Sequence, residues 1–361
     1  MSAAAMSKVL TPWQERVYAQ ACDAIDRGRL AHGLLFCGPA LIGKRLVAER
    51  LAARLLCEAG QGAARPCGTC RGCRLDAARA QQDPPATRPD GSLVHPWGLS
   101  GHPDLMFVGH AWNDKASPPR MRTEIVIDQM RAIPERLALT PQYGGAQVVL
   151  VDPADAINHA AANALLKTLE EPQDGRYLWL LSTEPARLPA TIRSRCQKLE
   201  FRLPPRDEAQ AWLQEQGHPA KAAGEALDAA RGHPGLAHAW LEHGDLALRR
   251  EVAGDLSQLA DGRLAVVATA QRWTADEQAG LRLRFAADIA LEQANALASQ
   301  ATAGGLTDPV RSRRLAAWFD AANRTRDLLR TTVRADLAMV ELLLAWREGV
   351  APANQPHSGR R

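Results

Sequence analysis

A chain of 361 residues has room for two to three domains of roughly 150 residues each, and its 46% hydrophobic and 23% charged content is that of a soluble globular protein, not a disordered one. Lys and Arg number 44 against 40 Asp and Glu, and the resulting +4 is too small to imply nucleic-acid binding by itself. With no apolar run near the ~18 residues of a membrane span, and no basic-then-apolar segment in Met1-Ser2-Ala3-Ala4-Ala5-Met6, membrane and secreted classes are excluded and a cytoplasmic protein is expected.

From Thr11 to Gly28 apolar residues recur at helical spacing, with Thr11 as N-cap and Pro12 at the first helical position. His32 to Cys37 is a short apolar run ended by Gly38-Pro39, the pattern of a buried strand, and Gly43 to Cys57 reads as a helix. The proline- and glycine-rich stretch from Asp83 to His102 has no period and is expected to be a mobile surface loop. Ile125 to Leu139 looks helical, Gln147 to Val151 is an apolar strand, and Ala156 to Glu171 is a helix stopped by Pro172. Leu178 to Ser182 and Lys198 to Phe201 complete the strand signals. Buried strands separated by helices point to an α/β, doubly wound, mostly parallel sheet ending near Leu203. Beyond Pro204-Pro205 the pattern is helical throughout, with a break at Gly232-His233-Pro234-Gly235.

Gly38-Pro39-Ala40-Leu41-Ile42-Gly43-Lys44-Arg45 has the spacing of a phosphate loop, G-x-x-x-x-G-K-[ST], except at its last position. The glycines let backbone N–H groups turn towards phosphate, and the lysine pairs with its oxygens. The hydroxyl that would hold Mg²⁺ is replaced by Arg45, which cannot coordinate a metal. Asp152 ends a strand where Mg²⁺ would be held, but the next residue, the place of a water-activating glutamate, is Pro153. Gly38, Gly43, Lys44 and Asp152 therefore form a vestigial nucleotide site in which hydrolysis is not expected. A plain glycine turn, with Asp152 as a helix cap, is the simpler alternative.

Seven cysteines in a chain without an export signal argue against a disulfide framework. Cys57, Cys67, Cys70 and Cys73 offer four thiolates within one short polar stretch, enough for a tetrahedral structural Zn²⁺ site. A redox cysteine cluster is the alternative. His102 lies nearby, but four thiolates already complete such a site, so His102 reads as structural.

The run Ala-x-Asn-Ala-Leu-Leu-Lys-Thr-Leu-Glu-Glu-Pro from Ala161 to Pro172, the Ser194-Arg195-Cys196 turn and the cysteine knuckle after the phosphate-loop helix resemble bacterial clamp-loader subunits. These are AAA+ subunits of the DNA polymerase III holoenzyme, and the resemblance covers roughly residues 10–201. It implies an AAA+ domain at 1–203 carrying the degenerate loop and the knuckle (57–73), and by architecture a helical lid at 204–247 and an all-α collar at 248–350; the polar, Pro-containing residues 351–361 read as a flexible tail. Within that family Arg45 and Pro153 place the chain with the non-motor subunit, which completes the ring rather than hydrolysing ATP. The resemblance makes Arg195 an arginine finger supplied in trans to the motor subunit, gamma/tau. The implied partners are that motor, the delta subunit and, through the complex, the sliding clamp and primer-template DNA. Lys44 and Asp152 favour the rival reading, a gamma/tau-like motor ATPase; Arg45 and Pro153 oppose it. A zinc-dependent nucleic-acid-binding module has only the nearby arginines in its support.

Overall fold

The computed structural model describes residues 9–60, 64–81, 93, 98–113, 115, 120–143, 145–302, 308–329 and 333–350. The tail expected at 351–361 and most of the loop expected at 83–102 lie outside them. Two compact units divide the chain, residues 1–237 and 238–361.

The first unit opens with α1 (Pro12–Asp26), β1 (Gly33–Cys37) and α2 (Lys44–Leu55). Thr11 occupies the N-cap position of α1, but the bond that forms is the reciprocal one: Gln14 Oε1 accepts from the Thr11 N–H at 3.0 Å, while Thr11 Oγ1 is unpaired. The cysteine-rich segment contains α3 (Arg71–Ala77), and β2 (Arg79–Ala80) pairs antiparallel with β3 (Leu99–Ser100), so the end of the expected loop is ordered. Then come β4 (Leu105–Val108), a second small ribbon of β5 (Trp112–Asn113) and β6 (Arg120–Met121), and α4 (Ile127–Leu137). β7 (Gln147–Val151), α5 (His159–Glu170), β8 (Arg176–Ser182), α6 (Ala190–Arg193) and β9 (Gln197–Glu200) complete the α/β part.

Five of these strands form one parallel sheet in the order β4-β7-β8-β1-β9. Parallel neighbours need crossover helices, which cover both faces, so the central strands are buried along their whole length. Alternate side chains of each strand then belong to different cores. Leu34, Phe36, Val148, Leu150, Trp179 and Leu181 face α1 and α2. Leu35, Val149, Val151, Leu178 and Leu180 face α4, α5 and Ile192 of α6. β4 is the strand that the sequence pattern does not announce, being four residues long and set just after Pro103. The helix expected from Ala156 begins later, at His159. Asn158 stops its earlier extension by accepting the Ala161 N–H on its side chain at 3.0 Å, and residues 154–156 form a 3₁₀ turn instead.

After β9 the unit continues in α7 (Arg206–Glu215) and α8 (Ala220–Ala229). The expected break before α9 (Pro234–His243) is real: Arg231 and Gly232 take positive φ values of 52° and 79°.

Among its described residues the second unit is helical: α10 (Asp245–Ala260), α11 (Val266–Trp273), α12 (Ala279–Thr302), α13 (Pro309–Leu328) and α14 (Ala335–Val350). Three of its core tryptophans have partners for their ring N–H groups. Trp273 donates to Asp255 Oδ2 at 2.8 Å, Trp318 to the Leu342 carbonyl at 2.9 Å and Trp346 to the Leu256 carbonyl at 2.8 Å. Trp318 and Trp346 also meet edge to face with centroids 4.7 Å apart. No helix among the described residues is long and apolar enough to cross a membrane.

Candidate functional site

Residues 38–43 link β1 to α2 and form the loop read as phosphate-binding. α1 fastens it from below: Trp13 Nε1 and Gln14 Nε2 both donate to the Ile42 carbonyl, at 3.2 and 3.1 Å. Gly43 has φ +96°, a conformation strained for a residue with a side chain, and a Cβ there would meet the Gln14 amide. Lys44 is buried, and its ammonium donates to the loop's own Gly38 and Pro39 carbonyls at 2.7 Å each. Burial pushes its pKa down to about 8, against the pull of the Asp152 and Asp155 carboxylates.

Arg45 stands beside the acidic strand end. Its NH1 lies 3.5 Å from Asp152 Oδ2, its Nε donates to Glu49 Oε1 at 2.7 Å, and its guanidinium lies over the Phe107 ring with 4.8 Å to the centroid. A fixed monocation therefore pairs with the carboxylate that sequence reading assigned to Mg²⁺. Glu49 is shared, since its other oxygen accepts from Arg79 NH1 at 2.8 Å, and Arg79 in turn reaches Asp76 at 3.3 Å. Asp155, two residues beyond Pro153, is engaged just past the end of the neighbouring strand. One of its oxygens accepts the Thr183 N–H at 2.9 Å, in the loop after β8.

The four cysteines of the knuckle converge, with all Sγ atoms within 4.8 Å of one another. Cys67–Cys73 and Cys57–Cys70 are 3.9 Å apart, too far for a disulfide. A tetrahedral Zn–S₄ centre with bonds of about 2.3 Å requires S···S edges of about 3.8 Å, so the donor set fits that ion. Backbone N–H groups point at the sulfurs: Cys67 to Cys57 at 3.4 Å, Cys70 to Cys67 and Cys73 to Cys70 at 3.3 Å. Such bonds favour thiolate, and the one from Cys70 is the main cause holding Cys67 below the usual thiol range. His102 is buried and outside the cluster. Its Nδ1 accepts from the Asp104 N–H at 3.1 Å, a structural task at the entry to β4.

The Ser194-Arg195-Cys196 turn links α6 to β9. Cys196 is buried in the core, and burial pushes its thiol up to about 11, making it an anchor without nucleophilic character. Ser194 Oγ donates to the Thr191 carbonyl at 3.1 Å and ties the turn to α6. Arg195 is held between the two, its side chain 36% exposed. In the parallel pairing Leu34 lies opposite Gln197 and Cys37 opposite Glu200. The Arg195 backbone is therefore level with the start of β1, and a Cβ on Gly33 would touch the Arg195 carbonyl. The phosphate loop begins at the other end of the same strand. Six residues at about 3.3 Å each separate the two levels by roughly 20 Å, beyond the reach of an arginine side chain.

Of the residues singled out by sequence, Gly38, Gly43, Lys44 and Asp152 thus gather at one sheet end, and Arg195 stands at the opposite end. The four cysteines form their own cluster. Sequence reading missed Glu49, Phe107 and Glu170, the last lying 2.7 Å from Arg195. Only Glu49 left a local signal, its i,i+4 spacing from Arg45.

A family model described as "DNA polymerase III, delta subunit" matches residues 13–205. DNA polymerase III subunit delta' of Pseudomonas aeruginosa is 35% identical over 264 residues, covering 73% of this chain and 70% of that protein. Subunit delta' of Escherichia coli is 33% identical over 66% of this chain and 63% of its own length, a match short of two thirds of that protein. Subunit tau of Escherichia coli is 34% identical, but over 53% of this chain and only 24% of tau.

Proposed function

The chain belongs to the DNA polymerase III delta' family, and from that premise we propose that it is the non-motor subunit of a clamp loader, completing a ring with gamma/tau motor subunits and delta. In this reading it hydrolyses no ATP. Asp152 is already paired with Arg45, and Pro153 supplies no base for water. Arg195 serves the ATP site of a neighbouring motor subunit, where a guanidinium on the γ-phosphate stabilises developing charge and contributes ~10³ or more in rate. The observation that carries the reading is the strand register: Arg195 stands roughly 20 Å from its own phosphate loop, so any phosphate it meets belongs to another subunit.

The remaining assignments follow from the same premise. Residues 204–247 act as the lid and 248–350 as the ring-forming collar. Cys57, Cys67, Cys70 and Cys73 hold one Zn²⁺, whose four thiolates close the coordination shell and leave it a structural task. The sliding clamp and primer-template DNA are reached through the assembled ring, in the cytoplasm.

ATP turnover by the purified chain, alone and then mixed with a motor subunit and delta, tests the proposal. The chain alone should show no turnover, and adding it should raise turnover by the motor. Turnover by the chain alone would instead favour the motor reading suggested by Lys44.

A further inference from the structure

The run from Ala161 to Pro172 ends in two glutamates that helix packing does not explain. Leu165 and Leu169 bury themselves against the sheet, whereas Glu170 and Glu171 are exposed. Pro172 follows immediately, and α5 ends at Glu170. The position of that last turn is fixed from two sides. The His32 ring Nε2 lies 3.0 Å from the Leu169 carbonyl, and the Leu169 side chain packs where a Cβ on Gly33 would sit. Both anchors belong to the entry of β1, the level at which the Ser194-Arg195-Cys196 turn sits.

The geometry points to Glu170 as the positioning residue of Arg195. Glu170 Oε1 lies 2.7 Å from Arg195 NH2, and Arg195 NH1 donates to the Thr191 carbonyl at 2.8 Å. Two of the five guanidinium N–H groups are thereby used from the protein side, and three remain for an incoming anion. A free arginine side chain loses rotamer entropy when it is ordered on a ligand, and two fixed contacts remove part of that loss in advance. An exposed ion pair adds little to folding stability, so its value lies in aiming the fork. The acidic end of the Ala161–Pro172 run and the arginine turn form one device, assembled by the start of β1. This inference rests on the proposed trans role of Arg195.

The test is steady-state ATP turnover by rings rebuilt from the full-length chain, motor subunits and delta, with kcat and KM for ATP read separately. Glu170→Ala should lower kcat about five-fold, roughly 1 kcal/mol, with KM unchanged and with normal melting and ring assembly. Glu170→Gln, which keeps an acceptor oxygen, should lose less. Combining Glu170→Ala with Arg195→Ala should be no worse than Arg195→Ala alone, because a positioning residue has nothing left to position. Unchanged or raised kcat in Glu170→Ala rings, or losses that simply add in the double variant, would overturn the positioning role and leave the trans role intact. Full turnover by Arg195→Ala rings would overturn the trans role itself, and the positioning role with it.

Discussion

At Arg45 one side chain stands where a phosphate loop carries a hydroxyl and places its charge against the Asp152 carboxylate. Its exposure is only 12%, and that of its partner Glu49 8%, so neither charge is cheaply returned to water. Arg45→Ser would recreate the phosphate-loop sequence while leaving Asp152 without that partner and Glu49 dependent on Arg79. We expect a loss of stability on the order of 1–3 kcal/mol by denaturant titration, and no gain of ATP hydrolysis, because Pro153 remains. Unchanged stability would mean that the Arg45–Asp152–Glu49 cluster does not hold the site. Lys44 makes a pH prediction. Its folded pKa of about 8 lies below the ordinary 10.5, so between those values the unfolded chain binds more protons than the folded one. Stability therefore rises with pH across that window, by up to about 3 kcal/mol, and is independent of this group below it. Denaturation of wild type and Lys44→Met at pH 7 and pH 10 should show the gap between them shifting towards wild type at the higher pH. An identical gap at both pH values would contradict the buried charge. The degeneracy of the loop is legible in the residues 45 and 153 themselves. That Arg45 turns onto Asp152 is not, because their meeting depends on β1 and β7 sharing a sheet.

The knuckle is an element with little of its own to hold it together. α3 has seven residues, well under the length at which an isolated helix persists in water, and of its residues only Gly72 and Cys73 are buried. Removing metal with a chelator should therefore release the segment around Cys57 to Ala77 and leave the parallel sheet folded. Trypsin should then cut faster at Arg71 or Arg74, read by mass spectrometry, with the thermal transition of the sheet little changed. Cleavage equally slow with and without chelator would show that the fold alone holds the knuckle. The convergence of its four cysteines was legible because their spacing is a local signal. The central strands were legible for a related reason: burial on both faces leaves Gly33–Cys37 and Val148–Val151 apolar throughout. β4 escaped because Leu105–Val108 is short and sits among prolines and glycines whose turn signals dominate. α3 escaped because its N-cap Cys70 and its one internal cysteine, Cys73, read first as metal ligands. Glu170 escaped because nothing local to α5 indicates that a turn near β9 will lie beside it.

Over the first unit, the parallel register settles which groups can work together. Both halves of the degenerate nucleotide site lie at the strand ends reached by Cys37 and Val151, while Arg195 lies level with the start of β1. A single α/β layer thus carries two edges: one with Arg45 and Pro153 at the phosphate loop and its neighbouring strand end, and one where Arg195 sits beside the buried Cys196. In the proposed role, such a subunit works only beside another. Lysine cannot reproduce the planar fork, so Arg195→Lys should be damaging as well as Arg195→Ala, although neither should affect folding by more than about half a kcal/mol. The most direct measurement is ATP turnover by clamp-loader rings containing wild-type or Arg195→Ala chain, with ring assembly verified for both. A trans role for Arg195 requires intact assembly with reduced turnover, only partial if one ATP site among several depends on this residue, and a larger loss in clamp loading on primed DNA. Equal turnover and equal loading by the two rings would contradict it.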